Sequence, residues 1–377
     1  MKNLLFTFLI LTSTSTFAQS RFTISGKTNI FTNGKVILSK LNIGEFSNAS
    51  NDTAILRNQT FKFQGELRFP QQYRIILFDH NGKQTLTEPI FIGSGNYQIN
   101  IDSSSSAHDF LDVGYGVSLE GSKENNEYIN KYLTSYSESN KRVEKFFESR
   151  RKCSSIADTA EKRSCLLIAE NEKLSIRKSR DSILFSYVKL NPSSKIAPWI
   201  LYEAILRYGY SEFYQASLTQ IIPYIPNKMY VAIRNLLNKQ KLKTPNRLFP
   251  LIDFVKTNIT TDFSKAKYTL VEFWYSGCSP CIAQFNELKE VYKKFHEKGF
   301  EIVAISVDTR DKLPALERII KKNSYPWQQI FDVGGTKAQS IDVNSFPSSF
   351  LLNSQGKIIK TNVSTAVLSE FLIEKAL

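Results

Sequence analysis

The stretch YTLVEFWYSGCSPCIAQF, residues 268–285, constrains the fold more than any other part of this 377-residue chain. Its first eight residues are an almost unbroken apolar run, the pattern of a central parallel strand covered on both faces. The period then changes. Ile282, Phe285, Leu288, Tyr292 and Phe295 recur at helical spacing, and Gly299 ends the helix. The next run, FEIVAISVD, is a second strand, so the unit is strand–helix–strand, for which a right-handed crossover is the default. Two cysteines, Cys278 and Cys281, fall in the turn that leads from the first strand into the helix N-terminus.

That position has chemical consequences. The thiolate is the reactive form of cysteine, and the free N–H groups and dipole of a helix N-terminus favour it. A free thiol titrates near 8.5, whereas the Cys-X-X-Cys sites of helix starts fall to roughly 3.5–7.5. Cys278 is expected to be the exposed nucleophile, and Cys281, one turn further in, to resolve a mixed disulfide. Pro280 suits the first helical turn because no N–H is needed there. The resolving thiol needs a proton acceptor, and Glu272 is the candidate. It shares a strand face with Leu270 and Trp274, so apolar surroundings should raise its pKa and let it take and return a proton near neutrality. The alternative places Glu272 in solvent or against a lysine. A zinc site would need a second Cys/His pair, and none follows. A purely structural bond over three residues closes too small a loop to staple much. A peroxidase would need a separate peroxidatic cysteine.

LVEFWYSGCSPCIAQFNEL resembles the strand–CxxC–helix signature of the thioredoxin superfamily, with Glu272 where those proteins carry a buried acid and Trp274 where they carry an aromatic. FPSSFLLNSQGKII, residues 346–359, is similar to the segment whose cis-proline faces the CxxC. The longer insert, including VAISVD and YPWQQIFDVGGTKAQSIDV, looks most like the exported thiol–disulfide reductases of the TlpA/ResA type. The resemblance covers about residues 245–377. It implies an α/β thioredoxin-like domain with a central mixed sheet and flanking helices, and it nominates Phe346–Pro347 as the cis bond. It also places Phe346, Trp274 and Gly277 at the substrate-binding surface. Gly277 is a departure, because the family usually has Trp before the first cysteine. The missing ring should alter the potential, open the site or shift the choice of partner.

The rest of the chain reads as a leader and two further regions. MKNLLFTFLILTSTSTFAQS has a positive start, a short apolar core and small residues before a cut near Ala18, the pattern of a secretory signal over 1–18. An uncleaved anchor is the alternative. Residues 19–115 hold short apolar or alternating runs punctuated by Asn33-Gly34 and Asn81-Gly82, which predicts an all-β, sandwich-like domain. In 116–243 glycine nearly vanishes and helical spacing takes over, predicting four to six helices joined through KQKLKTPNRLFP to a last domain over 244–377. A similar β-domain and helical linker often precede the thioredoxin-like part in exported bacterial proteins of this type, although that resemblance is less distinct.

The formal charge of +14 is uneven, with +9 in 116–243 and +3 in 244–377. Solvated helix faces explain such a surplus, and an acidic partner for the basic helical segment is the functional reading. The export signal and the lack of a recognition motif argue against nucleic acid. The three histidines are far apart in sequence, which argues against a His-based metal site. Cys153 and Cys165 also sit in the helical region. On one helix they would be about 18 Å apart, too far for a disulfide. A turn at SSIADTA would let the bond staple a helical hairpin, which is preferred over a second redox pair.

The expected protein is therefore exported, periplasmic and soluble after signal cleavage. It reduces protein disulfides through Cys278 and Cys281, with no metal or organic cofactor. The lack of a cation in the Ser279–Pro280 dipeptide argues against a strong oxidant. Its partners would be a disulfide-bearing protein and, as the resemblance implies, a membrane thiol donor. A partner-binding scaffold with a weakly active or inactive thioredoxin-like domain is the competing expectation.

Overall fold

The computed structural model describes residues 20–43, 51–109, 111–112, 114–156, 159–259 and 263–377. The signal sequence expected over 1–18 lies outside the described residues. Among them no helix is long and apolar enough to cross a membrane. They divide into two compact units. One holds the described residues up to 137 together with Ser193–Trp199, and the other holds Glu138–Pro192 and Ile200–Leu377.

The first unit is built from β1 (Ser20–Thr28), β2 (Gly34–Lys40), β3 (Asp52–Leu56), β4 (Thr60–Leu67), β5 (Gln71–Phe78), β6 (Gln84–Leu86), β7 (Ile90–Ile92), β8 (Gly95–Ser106) and β9 (Tyr115–Glu120). One sheet runs β4-β1-β8-β9, with β1 parallel to β8, and the other runs β3-β2-β5-β6 with β7 also on β5. Alternation makes each sheet two-faced. In β4, Phe61, Phe63 and Leu67 are buried while Thr60, Lys62 and Gln64 face out. The inward residues meet Val36, Leu38, Ile75 and Leu77 of the second sheet in one core, which makes a sandwich. Gly26 is required opposite Phe61 on the neighbouring strand of the same sheet, because a Cβ there would lie 2.1 Å from Phe61 Cζ. Strand β9 carries the β-region to Glu120, past the expected boundary at 115, because Val117 and Leu119 still alternate into the core.

Helices follow: α1 (Lys123–Glu127), α2 (Ser137–Ser155), α3 (Thr159–Leu190), α4 (Ala197–Tyr208), α5 (Glu212–Ile221) and α6 (Asn227–Leu242). The expected helical domain over 116–243 is not a body of its own. Its first part and Ser193–Trp199 group with the sandwich, and the remainder groups with the C-terminal residues. The physical reasons are visible in each unit. Ser122 caps α1 while its hydroxyl donates to Phe91 O at 2.6 Å, and buried Trp199 donates Nε1–H to Pro70 O at 2.7 Å. In the other unit, Cys153 of α2 is bonded to Cys165 of α3 with the Cα atoms 5.5 Å apart. Arg142 reaches across the same helix pair to Glu172 at 2.9 Å.

The second unit continues with α7 (Ile252–Asn258), β10 (Tyr268–Trp274), α8 (Ser279–Phe295), β11 (Phe300–Ser306), α9 (Leu313–Asn323), β12 (Gln328–Phe331), α10 (Thr336–Ser340), β13 (Ser348–Asn353), β14 (Ile358–Thr361) and α11 (Thr365–Glu374). The sheet order is β12-β11-β10-β13-β14, with β10, β11 and β12 parallel and β13 and β14 antiparallel to their neighbours. Strand β10 is central, and its alternate residues feed two cores. Leu270 and Trp274 join Cys278, Cys281, Phe285 and Leu288 on one face. Val271 and Phe273 join Val303, Ile305, Phe350 and Val255 on the other. The end of the expected linker is not a free connection. Asn246 N–H donates to Ile358 O at 2.8 Å, and Ile358 N–H donates back to Arg247 O at 2.8 Å, so this segment lies along β14. Phe249 then anchors it by complete burial, a contribution of about 1.5–3 kcal/mol.

Candidate active site

The site lies at the C-terminal end of β10, where parallel sheets place their ligands and chemistry. Trp274 ends the strand, residues 275–277 turn, and Cys278 is the N-cap of α8. The turn closes by a bond from Cys278 N–H to Tyr275 O at 3.0 Å. Cys278 and Cys281 form a disulfide with their Cα atoms 5.3 Å apart. Cys278 Sγ accepts a hydrogen bond from Cys281 N–H at 3.2 Å. One of the free donors of the helix start is thus spent on this sulfur. Ser279 and Pro280, between the two cysteines, face solvent.

The first cysteine is not exposed. Cys278 retains 2% of its accessible surface, against the expectation of an open nucleophile. The cause is that Cys278 belongs to the core cluster under α8, against which Phe346 also packs. The absence of a Trp at 277 therefore does not leave the sulfur open in this disulfide form. Gly277 itself is exposed, and a Cβ there would meet Tyr275 Cε2 at 3.2 Å. The bond between Phe346 and Pro347 is cis, and both residues are partly exposed.

Trp274 requires a correction. It is completely buried, its ring 5.0 Å from Phe285 and 6.0 Å from Tyr325, so it cannot touch a substrate. Its strand is covered by α8 on that face. The exposed aromatic is its neighbour Tyr275, 40% accessible, whose ring stands edge-on to Phe346 at 5.6 Å. Tyr275 was not singled out from the sequence because the apolar run reads continuously through it. The end of the run at Ser276 was the available signal.

Glu272 has no accessible surface and neither carboxyl oxygen has a hydrogen-bond partner in the protein. It lies between Ala304 of β11 and Ser349 of β13 in register. Burial alone pushes its pKa up from 4.5 to about 8. A second buried carboxyl, Asp308, follows β11. It accepts from Ser276 N–H at 2.9 Å, from Ser276 Oγ–H at 2.6 Å and from Ser306 Oγ–H at 2.6 Å. Sequence reasoning missed it, although an acid just past the end of a parallel strand stands where functional groups collect. Among the described residues no group of three or more His, Cys, Asp or Glu side chains is placed to hold a metal ion.

A buried disulfide at a helix start, on a mixed five-stranded sheet with an unpartnered acid in the adjacent strand, defines a thioredoxin-like protein. Residues 246–361 match the AhpC/TSA family, and residues 22–128 match a domain of unknown function (DUF4369). Residues 246–361 thus form a thioredoxin-like domain that is similar to the TlpA/ResA-type thiol–disulfide oxidoreductases. Over 118 residues it is 30% identical to the thiol-disulfide oxidoreductase ResA of Bacillus thuringiensis subsp. konkukian (strain 97-27), covering 31% of this chain and 66% of that protein. Over 109 residues it is 30% identical to ResA of Bacillus subtilis (strain 168), covering 29% and 59%. The chain thus spans less than two thirds of the length of these curated relatives. Among solved structures it is similar to a thiol-disulfide oxidoreductase from Bacteroides fragilis NCTC 9343, at 29% identity over 31% of this chain and 86% of that one, with a TM-score of 0.28.

Proposed function

We propose that the protein is an exported, periplasmic thiol–disulfide oxidoreductase that reduces disulfides in other proteins. In the reduced form the Cys278 thiolate attacks one sulfur of a substrate disulfide. A mixed disulfide forms and the first substrate thiol leaves with a proton. Cys281 then gives its proton to Glu272 and attacks Cys278 Sγ, which releases the second substrate thiol and leaves the Cys278–Cys281 disulfide. Two electrons pass to the substrate, and a thiol donor in the membrane would return them to the enzyme.

The observation that carries this reading is the pairing of that disulfide with Glu272. A carboxyl titrating near 8 is close to the 8.5 of a free thiol. Proton exchange between the two is then nearly balanced, the condition for efficient general acid–base work. Pro347 and the backbone of Phe346 would align the substrate chain beside Cys278, with Gly277 and Tyr275 at the rim of the same surface. Trp274 has no part in substrate contact. The Cys153–Cys165 bond serves as a structural staple, and the basic helices offer a surface to an acidic partner.

The test is trapping. A Cys281→Ser variant of the full chain, expressed with its signal sequence, should accumulate a mixed disulfide through Cys278 that dithiothreitol releases. Cys278→Ser should trap nothing. If neither variant captures a thiol-bearing protein, and the wild type reduces no protein disulfide, the reading fails.

The 2% accessibility of Cys278 favours a second reading, a partner-binding scaffold with a weakly active thioredoxin-like part. Cells carrying Cys278→Ser would then behave as wild type, whereas the enzyme reading expects them to match cells lacking the protein.

A further inference from the structure

The Asp308 carboxyl is hydrogen-bonded to the turn that carries Cys278. Both of its oxygens are committed to Ser276, one to the backbone N–H and one to the hydroxyl, at 2.9 and 2.6 Å. The Oδ2 that takes the backbone N–H also accepts from Ser306 Oγ–H at 2.6 Å, and Ser306 is the last residue of β11. The Asp308 carbonyl is held in turn by Gly334 N–H at 2.9 Å, and Val307 N–H donates to Trp274 O at 2.9 Å. All three side chains are buried. Ser276 is therefore gripped at two points by a group that the sheet holds rigid. Ser276 lies two residues before Cys278, inside the turn closed by Cys278 N–H on Tyr275 O.

The consequence falls on the sulfur. The Cys281 N–H reaches Cys278 Sγ only while the turn holds Cys278 at the N-cap of α8. Hydrogen bonds to a charged acceptor are stronger than those to a neutral one, and they weaken steeply as alignment is lost. A turn free to drift would lose part of that stabilisation in the thiolate form. Gly277, exposed and without a side chain, adds no packing to hold the turn in place.

We propose that Asp308 is a positioning residue for the redox reaction. Through Ser276 it fixes the turn that holds Cys278 Sγ over the first N–H groups of α8, and so sets how readily Cys278 ionises. The inference rests on the dithiol chemistry proposed above and adds to it a control that lies outside the CxxC and its buried acid. No substrate contact is assigned to Asp308.

Ser276→Ala removes the hydroxyl bond and keeps the backbone one. Asp308→Asn keeps the shape but removes the charge that strengthens both bonds to Ser276, since the amide can still accept from the backbone N–H and donate to the hydroxyl. Ser276→Thr keeps the hydroxyl and is the conservative control. The readouts are the Cys278 pKa, from the pH dependence of alkylation of the reduced full-length protein, and the fraction of Cys278–Cys281 disulfide in glutathione buffers. Mass spectrometry of the peptide bearing both cysteines separates this pair from Cys153–Cys165.

The Cys278 thiolate fraction at neutral pH should fall about three- to tenfold in Ser276→Ala and in Asp308→Asn. The glutathione equilibrium should move towards the disulfide in both. Ser276→Thr should stay with the wild type. A folded Ser276→Ala that titrates and equilibrates as the wild type does would overturn the proposal. So would a Ser276→Thr that behaves like the alanine variant. Should Asp308→Asn not fold, the two Ser276 variants decide alone. A wild type that forms no Cys278–Cys281 disulfide in any buffer would instead strike at the underlying redox reading, which keeps the two failures apart.

Discussion

Replacing Glu272 by glutamine should change how stability depends on pH more than it changes stability itself. The carboxyl is fully buried without a hydrogen-bond partner, and its pKa rises from 4.5 in the unfolded chain to about 8 in the folded one. Between those values the folded protein keeps a proton that the unfolded chain has lost. Stability therefore falls as pH rises through this window, by about 1.4 kcal/mol per pH unit. The full cost is about 5 kcal/mol above pH 8, and it vanishes below pH 4.5, where both states are protonated. The amide does not titrate, so the variant carries a constant penalty for its own buried polar group and none of this slope. Urea unfolding of the C-terminal unit, followed by the fluorescence of buried Trp274 and Trp327 at pH 4.5, 6, 7 and 9, reads the difference between the two proteins. The variant should gain on the wild type by several kcal/mol between pH 4.5 and 9. The same substitution should slow the resolving step near neutral pH. If the two stability curves run parallel across the window, the carboxyl is not desolvated and its assignment as the proton acceptor loses its physical basis.

Replacing both Cys153 and Cys165 by serine should destabilise the C-terminal unit by about 3 kcal/mol, from the loop released in the unfolded chain. Its melting should move while the glutathione equilibrium of Cys278–Cys281 stays put, and a moved equilibrium would refute the purely structural role. Phe346→Ala should uncover Cys278, which packs in the cluster that Phe346 helps cover. Reduction of the oxidised protein by dithiothreitol should then quicken by about threefold or more, since exchange needs access to the attacked sulfur. An unchanged rate would show that Phe346 is not the cover.

The strand–turn–helix that carries the cysteines was legible in the sequence because the hydrophobic period switches at Ser276, and the position of Glu272 followed from alternation along β10. What was not legible depends on contacts across the sheet. Cys278 reads as exposed from its place in a turn, but it is buried in a cluster that draws on residues far along the chain, such as Tyr325 and Leu351, and against which Phe346 also packs. Trp274 reads as a surface aromatic from the thioredoxin-like resemblance and as a core residue from its parity with Leu270 and Glu272. The packing of α8 settles it for the core. The helices of 116–243 were readable from their period, yet their division between two units was not. Period reports that a face is apolar and not what it will pack against.

The two buried carboxyls near the dithiol show how the same functional group is given separate tasks by its surroundings alone. Glu272 arises in mid-strand between Ala304 and Ser349, with no donor in reach, so desolvation governs it and raises its pKa into the range of a thiol. Asp308 arises just past a strand end, where the chain leaves the sheet and free N–H and hydroxyl groups remain. Three donors fill its oxygens, and it is an anchor for the turn. Strand interiors leave no backbone donor for a side chain, because the ladder uses them all, whereas strand ends do. An acid placed within β10 is thereby fitted to move a proton, and an acid placed at the end of β11 to hold a loop. Exchanging the two environments would demand rebuilding the ladder itself, which is why the two roles stay with these two positions on the sheet.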